Sequence, residues 1–265
     1  MKKFLNRKIM KRLILSAALV FGAGLMLSSC LKDDGYYGDY FYPNALVTAK
    51  TSDSGTFYFQ LDDRTTLKPD NMVKSPYGDK EVRALVNFSD KGPWSGSEED
   101  GLSFDRSVTI NAIDSVRTKD AVVTLGDEND KVYGTAPISI IDNSWTVLED
   151  GYLTLTFCAW WGDPRIYHEI NLVTGTDPEN PNLVELRHNP LEDDIYYMGG
   201  IQATGIIAFR LDESLADADH LDIRFNSIYG GDKTWTIERN TDYYLGNESS
   251  VRSSSAEITE NLAVR

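Results

Sequence analysis

From about residue 44 onward the chain is dominated by period-two alternation of apolar and polar residues, in short runs broken by Gly, Pro, Asn and Asp. Long amphipathic helical patterns are absent. Residues 56–61 place Phe57, Phe59 and Leu61 on one face, and residues 82–88 do the same with Val82, Ala84, Val86 and Phe88. Residues 45–49, 108–112 and 121–125 alternate similarly, and Ser52-Asp53-Ser54-Gly55 supplies turn chemistry between the first two runs. Five short strands of this kind predict a small closed barrel of the oligonucleotide/oligosaccharide-binding (OB) type over residues 44–125. The pattern lapses over residues 126–144, which read as a domain boundary. It resumes more strongly in residues 152–161, 166–173, 183–188, 201–211, 221–227 and 234–238. Six such strands predict an antiparallel two-sheet β-sandwich over residues 145–240. The fold class expected is therefore all-β, an OB-like barrel followed by a sandwich. Residues 241–265 form a polar, Ser-rich tail expected to be mostly disordered.

The N-terminus reads as an address. Residues 1–12 are basic, and residues 13–27 form an apolar run shorter than the roughly 20 residues that span a bilayer. The run ends in Leu27-Ser28-Ser29-Cys30, an aliphatic residue and two small ones before a cysteine, which matches the bacterial lipobox. Residues 1–29 are then a lipoprotein signal peptide, Cys30 the lipid attachment site, and residues 30–43 a tether. Several acyl chains on one residue hold a protein at a membrane where a single chain would not. Lys32, Asp33 and Asp34 directly after Cys30 resemble the short acidic signal that sends some lipoproteins to the outer face of the outer membrane. The expected location is the outer membrane, on the cell surface or otherwise facing the periplasm.

Charge narrows the choice of partner. The first 29 residues hold six basic side chains and no acid, so the remaining chain has 20 basic against 41 acidic residues, a net −21. Such a surface repels nucleic acid, and the barrel lacks the basic groove with stacking aromatics that single-strand binding requires. Cys158 is the one cysteine left beside Cys30, within the apolar Phe157-Cys158-Ala159-Trp160, so it reads as a buried structural thiol.

Catalytic constellations are not evident. His168-Glu169 begins like a zincin motif, but Leu172 stands where a second ligand would be, so the segment reads as a strand with a hydrogen-bonded structural histidine. His188, before Asn189-Pro190, reads as orienting a turn, and His220 suggests no site. No Gly-x-Ser-x-Gly occurs. Asp62-Asp63, Glu98-Glu99-Asp100 and Glu192-Asp193-Asp194 read as solvated loop charge, since adjacency does not establish a carboxylate dyad. Asp127-Glu128-Asn129-Asp130 and Asp217-Ala218-Asp219 offer oxygen ligands for calcium without meeting the EF-hand pattern. Neither a cofactor nor a metal is assigned. Trp94, in a polar loop, and Trp160, beside Trp161 on a strand, are the candidate ligand contacts. Trp94 is read mainly as loop packing and Trp160 mainly as an inter-domain contact.

The lipobox, the YYGDYFYP segment leading into a barrel with Leu61-Asp62-Asp63, Ile140-Ile141-Asp142-Asn143-Ser144-Trp145, Leu148-Glu149-Asp150-Gly151-Tyr152-Leu153 and Val184-Glu185-Leu186-Arg187-His188-Asn189 together resemble NigD-like lipoproteins. The resemblance covers about residues 40–240 and implies an N-terminal OB-type domain with a C-terminal β-sandwich. The family's association with a bacteriocin-type gene cluster implies a surface or immunity-related role and carries over no catalytic residues. The resulting expectation is a lipid-anchored, non-catalytic module that binds a protein, peptide or envelope component. A glycan-binding lipoprotein using Trp94 or Trp160, and a hydrolase with a loop-assembled acidic site, are the alternatives.

Overall fold

The computed structural model describes residues 42–98, 101–244 and 264. The first unit is a closed five-stranded barrel of β1 (Ala45–Thr51), β2 (Phe57–Gln60), β3 (Thr66–Pro69), β4 (Val82–Pro93) and β5 (Arg106–Ser115), in the order β1-β2-β3-β5-β4. Alternation turns Ala45, Val47, Ala49, Phe57, Phe59, Ala84, Val86 and Phe88 into its core. Four of these strands follow the hydrophobic pattern. The remaining one, β3, is too polar to announce itself: Leu67 and Pro69 are its buried residues, and it closes the barrel by pairing in parallel with β5.

Residues 121–125, expected as a barrel strand, lie in the sandwich instead. The segment leaving the barrel runs as β6 (Arg117–Asp120), parallel to β13 (Ile201–Arg210), and then as β7 (Val122–Val123), parallel to β11 (Glu169–Thr174). It thereby crosses from one sheet to the other. The first sheet has the order β6-β13-β10-β8, with β9 also on β10; β8 is Ile138–Ile141, β9 Val147–Glu149 and β10 Tyr152–Trp161. The second has the order β15-β14-β12-β11-β7, with β12 Leu183–Asn189, β14 His220–Asn226 and β15 Asp232–Glu238. All six strands expected in the sandwich are present. So are a strand, β8, and a short helix α1 (Asn129–Tyr133) inside the stretch read as a boundary. Most pairings are antiparallel, but β12 with β14, β13 with β6 and β11 with β7 are parallel.

Leu153, Leu155, Phe157, Ala159 and Trp161 of β10 meet Ile170, Leu172, Val184, Leu186, Leu221 and Ile223 of the facing sheet in one core. Hairpin β9–β10 turns at Asp150-Gly151, whose φ values of 50° and 72° are those of a type I′ turn. Its tip rests on the barrel: Asp150 accepts from Thr48 Oγ1 at 2.5 Å and Lys50 Nζ at 2.6 Å. Barrel and sandwich share a third core of Leu46, Leu85, Val116, Trp145, Val147, Tyr152 and Ala208. Beside it Arg83, wholly buried, donates to Glu149 at 2.8 Å, Thr48 at 3.1 Å and Thr154 at 3.3 Å. Glu149, equally buried, also accepts from Asn240 at 2.7 Å. Of the polar tail, residues 241–244 and Val264 are described. Tyr244 packs on Phe88 and donates to Asp90, and Val264 bridges to His168, so these five residues hold defined positions. The rest of the tail, with its expectation of disorder, lies outside the described residues.

A candidate interaction surface at the end of the sandwich

At the end of β10, residues 190–200 form a loop joining β12 to β13. Close approach is possible because two positions lack a side chain: a Cβ on Gly162 would stand 2.2 Å from the Asp194 carbonyl oxygen, and one on Gly200 would stand 2.5 Å from that of Trp161. Asp193 is the loop's anchor. Its carboxylate accepts the backbone N–H of Gly162 at 2.7 Å and of Asp163 at 3.0 Å, and contacts His168 Nε2 at 2.9 Å. His168 Nδ1 in turn lies 2.7 Å from His188 Nε2, and His188 Nδ1 lies 3.1 Å from the Pro137 carbonyl oxygen. Trp161 stacks on His168 with ring centroids 4.2 Å apart and planes 8° from parallel.

Trp161, His168, His188 and Asp193 are all buried. Burial pulls His168 below its ordinary value while Asp193 pulls it up. Burial also holds His188 down, to about 4, against the opposing bond to Pro137. The order Asp–His–His resembles a catalytic relay, but it terminates on a backbone carbonyl and reaches no hydroxyl or thiol among the described residues. A metal is excluded from its middle, since two ligands at about 2.0–2.1 Å cannot share a 2.7 Å nitrogen separation in tetrahedral geometry.

While Asp193 and Ile195 point inward, the next three residues point out: Tyr196 is 81% exposed, Tyr197 62% and Met198 102%. Leu191, exposed on the same loop, and Ile201, exposed where the loop enters β13, extend the apolar surface. Glu192 and Asp194, exposed on the same loop, give it an acidic flank. Contiguous exposed aromatic and thioether groups on an anchored loop are a feature of interaction sites rather than of ordinary surface.

The residues singled out from sequence are placed as follows. Cys30, Lys32, Asp33 and Asp34 lie outside the described residues, as does the whole apolar run before them. No helix among the described residues is long and apolar enough to cross a membrane. Trp94 is half-buried, edge-on to Phe104 at 5.2 Å. Trp160 is 42% exposed, opposite Gln202, at the far end of β10 from the barrel. The barrel meets β10 at Tyr152 and Thr154, roughly 20–27 Å away at about 3.3 Å per residue, so Trp160 makes no inter-domain contact. Trp145 occupies that interface instead. Cys158 is buried, and burial pushes its thiol up. His220 pairs with Glu238 across β14–β15.

Three loop acids read as solvated prove structural. Asp62 accepts the backbone N–H of Arg64, Thr65 and Tyr244, while Asp63 accepts that of Asp150 and pairs with Arg239; Asp193 is described above. Of the calcium candidates, Asn129 is engaged by Leu125 and Thr124, Asp130 by Arg187 and Glu128 by Lys131. No group of three or more His, Cys, Asp or Glu able to hold a metal occurs among the described residues. A groove of about 310 Å³ beside β12 includes Asp130, Glu185, Arg187, Arg224 and Asp232 in its lining. Both arginines are met by carboxylates, so it presents no surplus positive charge to an anion. The histidine–aspartate chain was missed from sequence because its contacts join positions 20, 25 and 51 residues apart, and the aromatic loop because the exposure of Tyr196, Tyr197 and Met198, like the burial of Asp193 among its acidic neighbours, arises only through folding.

Family comparison agrees with this architecture. A profile described as the NigD-like N-terminal OB domain matches residues 46–116, and one described as the NigD-like C-terminal beta sandwich domain matches residues 121–239. Among solved structures, a protein described as toxin-related from Parabacteroides distasonis is 29% identical with a TM-score of 0.55, covering 75% of this chain and 93% of its own. A protein of unknown function from Bacteroides vulgatus is 20% identical with a TM-score of 0.58, covering 81% and 97%. One described as a lipoprotein from Bacteroides fragilis is 16% identical with a TM-score of 0.50, covering 75% and 98%. The last two bear on the fold alone. No curated protein matches the chain.

Proposed function

The chain belongs to the NigD-like family, and from that premise we propose that it is a lipid-anchored, surface-displayed outer-membrane protein that works by holding a protein or peptide partner. One observation carries the binding reading: Tyr196, Tyr197 and Met198 stand exposed together on a loop whose own acid is tied down inside the sandwich. Rigid aromatic anchors give contact area at low entropic cost, which is how small interfaces gain affinity. The acids Glu192 and Asp194 beside them, on a body at net −21, favour a partner with a basic and apolar face. The lipobox and Cys30 support the anchor, and Lys32-Asp33-Asp34 the surface location. The toxin-related description of the 29%-identical neighbour fits a role in meeting an extracellular protein.

The test compares native lipidated protein with a Tyr196→Ser/Tyr197→Ser/Met198→Ser variant, after crosslinking on cells. A partner held by the first and released by the second supports the reading; an unchanged partner set and affinity in the variant defeats it. For the anchor, Cys30→Ala is expected to abolish fatty-acid labelling and move the protein to the soluble fraction. Surface display is expected to make the wild type sensitive to protease added to intact cells, with Lys32→Ala/Asp33→Ala/Asp34→Ala protected. A glycan reading rests on the exposed Trp160 ring; saturable binding on a glycan array that vanishes in Trp160→Ala would favour it over the protein partner.

A further inference from the structure

The chain Pro137–His188–His168–Asp193 contains three contacts at hydrogen-bond distance, of 3.1, 2.7 and 2.9 Å, and each needs one hydrogen. A carbonyl and a carboxylate only accept, and two neutral imidazoles bring one N–H each. Two hydrogens therefore serve three contacts. The least costly vacancy is at Pro137, the longest contact and the one with an uncharged acceptor, because a bare ring nitrogen facing the Asp193 carboxylate is repulsive. His188 then donates to His168, and His168 to Asp193.

We propose that the chain takes up a third proton as a unit on acidification, and that this proton tightens the hold of the sandwich on the aromatic loop. The added proton completes the His188–Pro137 bond. The positive charge it brings is shared along the rings to within 2.9 Å of Asp193, so a hydrogen bond from a neutral ring to a carboxylate becomes an ion pair. Trp161, stacked on His168, presents an aromatic face to that charge.

Among the described residues few groups act on the rings: Asp193 acts on both, and the rings contact each other. From β10 comes Trp161, and from the following turn Gly162 and Asp163, the latter already paired with Arg165. From β12, Glu185 and Arg187 lie on the opposite face of the strand from His188 and bind each other. From the residue before β8 comes the Pro137 carbonyl, and from the tail Val264. Regulation of this loop rests on the reading that it is a binding surface, whereas the proton count does not.

The experiment needs no partner. Three histidines make ring ¹⁵N spectra of the folded mature protein simple to assign, with His220 as a reference outside the chain. Between pH 7.5 and pH 3.5, His168 and His188 are expected to titrate with a shared midpoint and to go from two ring N–H groups toward three, His188 being about half protonated at pH 4. Over the same interval, hydrogen exchange at the Gly162 and Asp163 amides, corrected for intrinsic rate, is expected to slow about fivefold as the added ion pair holds the Asp193 carboxylate in place. His188→Gln removes one of the two rings that share the proton, so the response is expected to be smaller and to follow the titration of His168 alone. Rings that titrate independently, or exchange that stays constant while the proton is taken up, would overturn the proposal. If the His188→Gln protein does not fold, the wild-type spectra decide alone. A failed latch leaves the Tyr196–Met198 surface standing, and a failed surface leaves the titration unchanged.

Discussion

At the residue scale, position 162 shows how far one missing side chain reaches. Gly162→Ala would drive a methyl group into the Asp194 carbonyl and against the Asp193 carboxylate, so the loop must lift off the end of β10. A loss of about 1–3 kcal/mol in urea denaturation is expected, as for other overpacked sites, together with faster exchange at residues 196–198. Cys158 makes the opposite point. Burial keeps its thiol protonated and covered, so mature protein beginning after Cys30 is expected to be inert to a thiol reagent at pH 8 and to react with one equivalent once unfolded. The buried character of Cys158 was readable from its apolar neighbours. That of Asp62, Asp63 and Asp193 was not, because whether a loop acid faces water or a row of backbone amides is settled by chain segments far away in sequence.

At the scale of elements, β1, β4 and β10 explain where alternation succeeds and where it misleads. Their inward residues follow the period-two pattern into each core. Their other faces are also covered where barrel meets sandwich, so Leu46, Thr48, Arg83, Leu85, Tyr152 and Thr154 are buried as well. Arg83 illustrates the cost. A charge on the outward face of a barrel strand reads as solvated, yet it sits 2.8 Å from Glu149 with neither side chain exposed. Removing one member of such a pair strands the other in a dry site. Arg83→Met is expected to cost about 3–5 kcal/mol by denaturant midpoint, and Arg83→Met/Glu149→Leu to recover most of it. If the double variant were no more stable than the single, the pair would not be the source of the loss. The polar β3 and the displaced 121–123 segment were illegible for a related reason: short strands owe their place to the hydrogen-bonding edge available, not to their own hydrophobicity.

Across the whole molecule, acid has a global effect beside its local one. His188 is held at about 4 in the folded protein against 6.5 in the open chain, and His168 is lowered too. The unfolded chain therefore binds protons more readily across that interval, so the stability tied to these rings is complete above pH 6.5 and declines as pH falls toward 4. Each proton contributes a slope of about 1.4 kcal/mol per pH unit. Urea midpoints at pH 7.5, 6.5, 5.5 and 4.5 are expected to fall for the wild type and to fall less for His188→Gln. A folded chain that tightens around its third proton still binds it more weakly than free imidazole does, so local tightening and global loss coexist. Period-two patterning, turn residues such as Ser52-Asp53-Ser54-Gly55 and an apolar-then-cysteine leader are local properties, and from them the sequence by itself determined the all-β class, the barrel-then-sandwich order, the family and the expectation of an anchor. The aromatic loop, its histidine–aspartate tether and the buried Arg83–Glu149 pair were decided only by tertiary structure, because burial and a shared proton belong to groups brought together in space, and no spacing along the chain encodes that meeting.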